Sequence, residues 1–220
     1  MYFFIKRAFD ILFSLLALLI LLPFMIPIII LLRLTGEGEI FYKQARVGYK
    51  NKTFMIWKFA TMLKNSPNMG TGEITLRQDP RVTPMGGFLR KSKINELPQI
   101  LNILFGDISF VGPRPLMKVS FDSYTDEVKS RIYNSKPGLT GIASVIFRDE
   151  ESLVFKSGME PAAYYKQFIF PYKGQLELWY LKNASFLTDL KILMLTAWSI
   201  IFPENKLAAK FFKDLPPSNL

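Results

Sequence analysis

Neither cysteine nor histidine occurs anywhere in the 220 residues. Disulfides, thiolate nucleophiles, imidazole bases and Cys/His zinc sites are excluded together. Any chemistry must rest on carboxylates, lysine, arginine, hydroxyl groups or an oxygen-bound metal. Acid is scarce as well: 18 Asp and Glu face 28 Lys and Arg, for a net charge of +10 and a pI near 9.7. Such a balance favours anionic partners, whether lipid headgroups, phosphates or nucleic acid. The missing cysteine suits a reducing cytoplasm. No internal repeat or low-complexity tract is visible, and the chain beyond its apolar segment has room for one soluble domain.

What the chain has in excess is a long apolar run. Residues 11–32 carry no formal charge and are interrupted only by Pro23 and Pro27. As a straight helix the run would reach about 33 Å, enough for a hydrocarbon core of about 30 Å. Each proline removes an N–H and presses its ring on the carbonyl four residues back. Lys6 and Arg7 precede the run and Arg33, Lys43 and Arg46 follow it, so both flanks read as cytoplasmic. The expectation is a bent, re-entrant membrane hairpin over residues 1–35. A secretory signal peptide is disfavoured, because the run is too long and no small-residue cleavage site follows.

Beyond the run, residues 39–47 and 54–62 alternate like short strands. Residues 65–75 are polar and glycine-rich and read as a mobile surface loop. The Asp79-Pro80 and Thr83-Pro84 steps hold the chain extended before a helix begins. Pro98 suits a first helical turn, which places an N-cap near Asn95 and a helix through Phe105, closed by Gly106 and buried through Ile100, Leu101, Ile103 and Leu104. Residues 118–133 read as one polar helix, 142–147 as a short strand, and 161–170 and 176–181 as further helical pieces. Residues 186–202 form a long apolar helix that could pack in the core or lie in the membrane interface. Residues 204–220 read as a loosely ordered basic tail.

The chemistry concentrates in residues 79–115, where Arg81, Arg90, Lys91, Lys93 and Arg114 surround a helix start that bears one carboxylate, Glu96. Backbone N–H groups at a helix start attract anions, and guanidinium groups grip phosphate in bidentate fashion. That is the layout of a phosphate site. A nucleic-acid binder would need a stripe of exposed stacking aromatics. Here the aromatics fall in apolar contexts such as residues 2–13 and 54–59, so no nucleic-acid partner is expected.

At these residues the chain resembles the bacterial sugar transferase family, the monotopic polyprenyl-phosphate phosphoglycosyltransferases. The matching signals run in order: the basic, proline-broken apolar N-terminus; residues 44–48; Trp57-Lys58-Phe59 with Thr61-Met62; residues 79–90; Glu96-Leu97-Pro98-Gln99; Gly106-Asp107; Val111-Gly112-Pro113-Arg114-Pro115; Lys136-Pro137-Gly138-Leu139-Thr140-Gly141; and Lys182-Asn183 followed by Asp189. The resemblance implies transfer of a phosphosugar from a nucleoside diphosphate sugar, usually a UDP-sugar, to undecaprenyl phosphate, with release of the nucleoside monophosphate. It also implies Mg2+, an inner-membrane location with the catalytic domain on the cytoplasmic face, and contact with inner membrane lipids. A homo-oligomer is compatible with it. Residue by residue, Lys58 matches the family lysine on its strand, Arg90 the arginine that stabilises the site, and Arg114 the arginine of the Pro-Arg-Pro loop. Pro113, Arg81 and Arg148 join Arg114 as candidate substrate contacts.

Two departures bear on mechanism. The family places an Asp-Glu pair, with the Asp as nucleophile, where this chain has Asn95-Glu96. A neutral amide oxygen is a poor nucleophile, so Glu96, the carboxylate adjacent to that slot, is expected to take over the attack, the other option being that it only holds the metal. The alternative is a catalytically weak or silent member that acts as a scaffold in glycan assembly. Ala60 stands where relatives commonly carry Lys or Arg, so one phosphate-facing cation is missing. The expected fold is α+β and mainly helical: a membrane hairpin (1–35), a catalytic domain (36–203) with amphipathic interfacial helices and a small β element, and the basic tail (204–220).

Overall fold

The computed structural model describes residues 2–69, 79–202 and 207–218. The chain divides into two compact units, the first built from residues 1–8, 46–54 and 106–220 and the second from residues 9–45 and 55–105.

The apolar run forms one α-helix, α1 (Tyr2–Leu34), with Pro23 and Pro27 inside it. The expected re-entrant anchor is thus a single helical element that carries both prolines. In apolar surroundings an open backbone group costs several kcal/mol, so a helix that forfeits only the bonds at its prolines is favoured over a turn that opens more. Leu21, Met25, Ile28, Ile29 and Leu32 recur at helical spacing and pack with Phe59 and Leu89 in the core of the second unit. Most other apolar side chains of α1, among them Leu12, Leu19 and Phe24, are exposed.

The second unit also holds most of a two-stranded sheet, β1 (Phe41–Val47) and β2 (Thr53–Phe59), as the alternation predicts. It continues into α2 (Pro84–Lys91), a 3-10 turn at Ile94–Glu96, and α3 (Gln99–Phe105). Thr83 caps α2 by accepting from the Gly86 N–H, and Pro84 occupies the first turn. Of the expected mobile loop, Ser66–Asn68 forms a 3-10 turn, and residues 70–75 lie outside the described residues.

In the first unit, β3 (Ser109–Val111) and β4 (Gly138–Thr140) pair in parallel, with Ser109 opposite Gly138 and Val111 opposite Thr140. Around them lie α4 (Lys118–Asp122), α5 (Asp126–Arg131), α6 (Ile142–Ile146), α7 (Glu150–Ser157), α8 (Pro161–Tyr164), α9 (Phe170–Asn183), α10 (Phe186–Ile201) and α11 (Leu207–Phe211). The single helix expected over 118–133 is broken because Thr125 caps a new one by accepting from the Val128 N–H. The strand expected at 142–147 is α6. Its β-branched residues misread as strand, whereas the core they enter lies against helices α9 and α10. The described part of the tail is not loose: Ala208 and Phe212 join the core, Trp179 Nε1 donates to Asp214 and Tyr172 Oη to the Pro216 carbonyl. Hydrophobic anchors outweigh the tail's charge and prolines.

The N-terminus of α1 is tied into this unit. Tyr2 Oη donates to Asp189 Oδ2 at 2.8 Å, Lys6 Nζ pairs with the same carboxylate, and Tyr180 Oη donates to Asp189 Oδ1 at 2.8 Å. Burial first, and the Asp189 charge second, push the Tyr180 phenol well above its usual range.

Candidate active site

In the second unit the reactive region is assembled by backbone contacts that the sequence conceals. Thr83 N donates to Thr61 O, Leu63 N donates to Arg81 O, and Met62 and Val82 form an antiparallel bridge. A Cβ built on Gly86 would lie 2.0 Å from the Thr61 carbonyl oxygen, so only glycine lets α2 approach the 61–63 segment this closely. At the far end of α2, Arg90 NH1 reaches Thr61 Oγ1 at 3.5 Å.

The α2 helix ends at Lys91, and Lys93 takes a left-handed conformation (φ 62°) that turns the chain into the Ile94–Glu96 turn. Asn95 is not an N-cap. It lies inside this turn with its residue 8% exposed, and its Oδ1 is buried without a hydrogen-bond partner. The cap expected there is displaced because the helix itself starts later, at Gln99. Glu96 Oε1 lies 3.8 Å from Lys58 Nζ on β2, both side chains a little under one-fifth exposed.

One organising residue escaped the sequence reading. Asn102 is fully buried on α3; its Oδ1 accepts from the Trp57 N–H and its Nδ2 donates to the Met55 carbonyl, each at 2.9 Å. The side chain thus acts as one more strand beside β2, immediately before Lys58. Its signal was present but small, a polar residue one position from Ile103 on the buried face.

Arg81 is 3% exposed; it grips Asp79 through Nε (2.9 Å) and NH2 (2.6 Å) and donates through NH1 to the carbonyls of Ser66 and Met69. Its guanidinium is turned inward and clamps the 66–69 segment.

Pro113, Arg114 and Arg148 belong to the first unit. Pro113 is buried and Arg114 exposed, in the loop after β3; Arg148 lies half-buried in the turn between α6 and α7. The Pro113 carbonyl accepts from Gly138 N and the Gly112 N–H donates to Thr140 O, both at 2.9 Å. Tyr133 Oη donates to Arg114 O at 2.8 Å, and Leu116 N donates to that hydroxyl at 3.0 Å. Burial pushes the Tyr133 phenol well above its usual range.

Residues 1–203 match the family described as Bacterial sugar transferase. The chain is 35% identical over 203 residues to the "Uncharacterized sugar transferase EpsL" of Bacillus subtilis, covering 91% of this chain and 89% of that protein. It is 34% identical over 205 residues to the "Exopolysaccharide production protein ExoY" of Sinorhizobium fredii, covering 87% and 83%. It is likewise 34% identical over 208 residues to the "Undecaprenyl-phosphate galactose phosphotransferase" of Salmonella typhimurium, covering 88% of this chain but 40% of that longer protein. With a match over nearly the whole length, this chain belongs to the bacterial sugar transferase family.

Proposed function

We propose that the protein transfers a phosphosugar from a UDP-sugar to undecaprenyl phosphate, releases UMP, and so starts a cell-surface glycan. The observation that carries this reading is the Lys58–Glu96 pair. It sets a carboxylate and a cation against each other in the unit that also carries Arg90, and such a charge pattern suits a nucleoside diphosphate donor. The relatives named as undecaprenyl-phosphate transferases for galactose and glucose support the same substrate class.

In the proposed sequence a Glu96 carboxylate oxygen bonds to the sugar-bearing phosphorus, and the bridging P–O bond breaks with its electron pair leaving on UMP. An oxygen of the lipid phosphate then bonds to the same phosphorus, and the Glu96 carboxylate departs with its pair, ready for another cycle. Lys58 balances Glu96 in the resting enzyme and the leaving phosphate afterwards. Arg90 stabilises charge on the transferring group, so its removal would cost on the order of 10²-fold in rate.

Two oxygen donors suit magnesium: the Glu96 carboxylate and the partnerless Oδ1 of Asn95. Such an ion is commonly held by one or two protein oxygens with the rest from water and substrate phosphates. Among the described residues no group of three or more acidic or other ligating side chains could cage a metal alone. When bound with the donor, it would offset the repulsion between diphosphate and attacking carboxylate.

The location proposed is the cytoplasmic face of the inner membrane. Lys6 and Arg7 before the apolar run and Arg33 after it put basic residues on both flanks, which favours an anchor that enters and leaves one leaflet. The exposed stripe of α10, with Leu187, Leu190, Met194 and Trp198, suits a helix lying in the interface.

The test is UMP release from a panel of UDP-sugars with undecaprenyl phosphate, for wild type, Glu96→Gln and Asn95→Asp. Wild-type turnover lost in Glu96→Gln supports the reading; full activity in Glu96→Gln removes Glu96 as nucleophile, and no turnover with any donor leaves the scaffold alternative standing.

A further inference from the structure

The carboxyl of Glu177 on α9 has no part in the chemistry above, yet the first unit is built around it. The residue is 2% exposed, its Oε1 accepts from the Arg114 N–H at 3.4 Å, and its Oε2 is buried without a hydrogen-bond partner. Above it the backbones of the two glycine-bearing loops are in direct contact. A Cβ on Gly112, Gly138 or Gly141 would meet backbone atoms at 2.5, 2.1 and 2.2 Å respectively, and one on Gly141 would lie 4.0 Å from Glu177 Oε2. The loop cannot settle downward or sideways. Arg114 is therefore held at both backbone ends, its N–H by Glu177 and its carbonyl by Tyr133, while the residue itself stays exposed.

We propose that Glu177 is the positioning residue for Arg114: lodged beneath the loop that follows β3, its carboxyl fixes the Arg114 amide and so the direction in which the guanidinium leaves the loop. The inference rests on the reading of Arg114 as a phosphate contact in transfer. A carboxyl in this place is an expensive way to hold one amide, since an amide or hydroxyl would do so at lower desolvation cost. The groups that face it explain how it is tolerated. Arg114 and Lys173 supply positive charge from the loop and from the preceding turn of α9, Lys173 is itself paired with both oxygens of Glu150 at 2.7 Å, and the phenols of Tyr124 and Tyr133 close the remaining side. Burial outweighs these cations and pushes the Glu177 carboxyl up to about 8. Near neutral pH the group is then largely a neutral acid that accepts from Arg114 through one oxygen, and ionisation above that range puts an unbalanced charge under the loop.

A merely structural acid would lower stability without any special link to Arg114, so the decisive design is a double-mutant cycle. Wild type, Glu177→Gln, Glu177→Leu, Arg114→Ala and the Glu177→Leu/Arg114→Ala double variant are purified in detergent. Each is assayed with the fastest donor among UDP-glucose, UDP-galactose, UDP-N-acetylglucosamine and UDP-N-acetylgalactosamine. Hydrogen exchange at the amides of residues 111–116 is followed alongside. Glu177→Leu is expected to speed exchange at Arg114 by about 10-fold or more and to lower kcat by about 30- to 100-fold with little change in KM, as for a lost transition-state contact. In the Arg114→Ala background the same change should alter kcat by less than about 3-fold, and Glu177→Gln should restore kcat to within about 3-fold of wild type. An equal kcat loss with and without Arg114, or exchange at Arg114 that does not respond to Glu177→Leu, overturns the proposal. A wild type inactive on every donor overturns the transferase reading itself, and the exchange measurement still decides whether Glu177 holds the loop.

Discussion

Replacing Asn102 by leucine should be among the most damaging single substitutions in the second unit. The side chain is fully buried and satisfies two backbone groups of β2, the Trp57 N–H and the Met55 carbonyl, at 2.9 Å each. Leucine has similar bulk but offers neither donor nor acceptor, so both groups are left in a dry interior at about 1–3 kcal/mol apiece, roughly 2–6 kcal/mol together. Against a total stability of about 5–15 kcal/mol that is a large fraction. Urea unfolding of the detergent-solubilised protein, followed by tryptophan fluorescence, measures it directly. Asn102→Asp keeps an acceptor for Trp57 but loses the donor to Met55, and should fall between the two. Because Lys58 follows Trp57 on the same strand, UMP release per folded molecule should also fall by about 10-fold or more in Asn102→Leu, the cost of a misplaced contact. An Asn102→Leu protein with the wild-type midpoint would refute the claim that this side chain completes the sheet edge.

Three further outcomes follow from the geometry. Gly86→Ala drives a methyl onto the Thr61 carbonyl and should cost about 1–3 kcal/mol in the same unfolding assay, with a loss of rate through Arg90. The raised Glu177 carboxyl favours the protonated folded state, so its contribution to stability is complete below about 4.5 and is lost as pH rises through about 8; thermal melts from pH 5 to 9 should show a decline that Glu177→Gln flattens. Leu190→Asp with Met194→Asp puts charge on the exposed face of α10 and should weaken flotation with anionic vesicles of phosphatidylglycerol and phosphatidylethanolamine without altering the melt.

Periodicity and local capping carried much of the fold. The α1 run, the Thr83-Pro84 start of α2, the alternation of β1 and β2, and the long helix after Ser185 are set by neighbours in sequence, and a reader of the sequence can find them. The failures share one cause, contacts between residues far apart along the chain. Ile142, Val145 and Ile146 look like a strand until α9 and α10 supply a helical neighbourhood. Nor does the sequence show that Asp79 and the carbonyls of Ser66 and Met69 turn the Arg81 guanidinium inward. The basic tail looks loose until Phe212 finds Trp179. For the site, Lys58, Arg90, Asn95 and Glu96 stand out as candidates in the sequence alone, because charge density around one carboxylate is a sequence property. The partnerless amide oxygen of Asn95 and the bracing roles of Asn102 and Glu177 could not, since they depend on which backbone groups end up beside them.

The most direct test of Glu96 as nucleophile is mass spectrometry of protein quenched during turnover with a UDP-sugar and no lipid acceptor. A phosphosugar mass on the peptide carrying Glu96, absent in Glu96→Gln and discharged when undecaprenyl phosphate is added, is the predicted result. An adduct on another residue, or one that persists in Glu96→Gln, would contradict it.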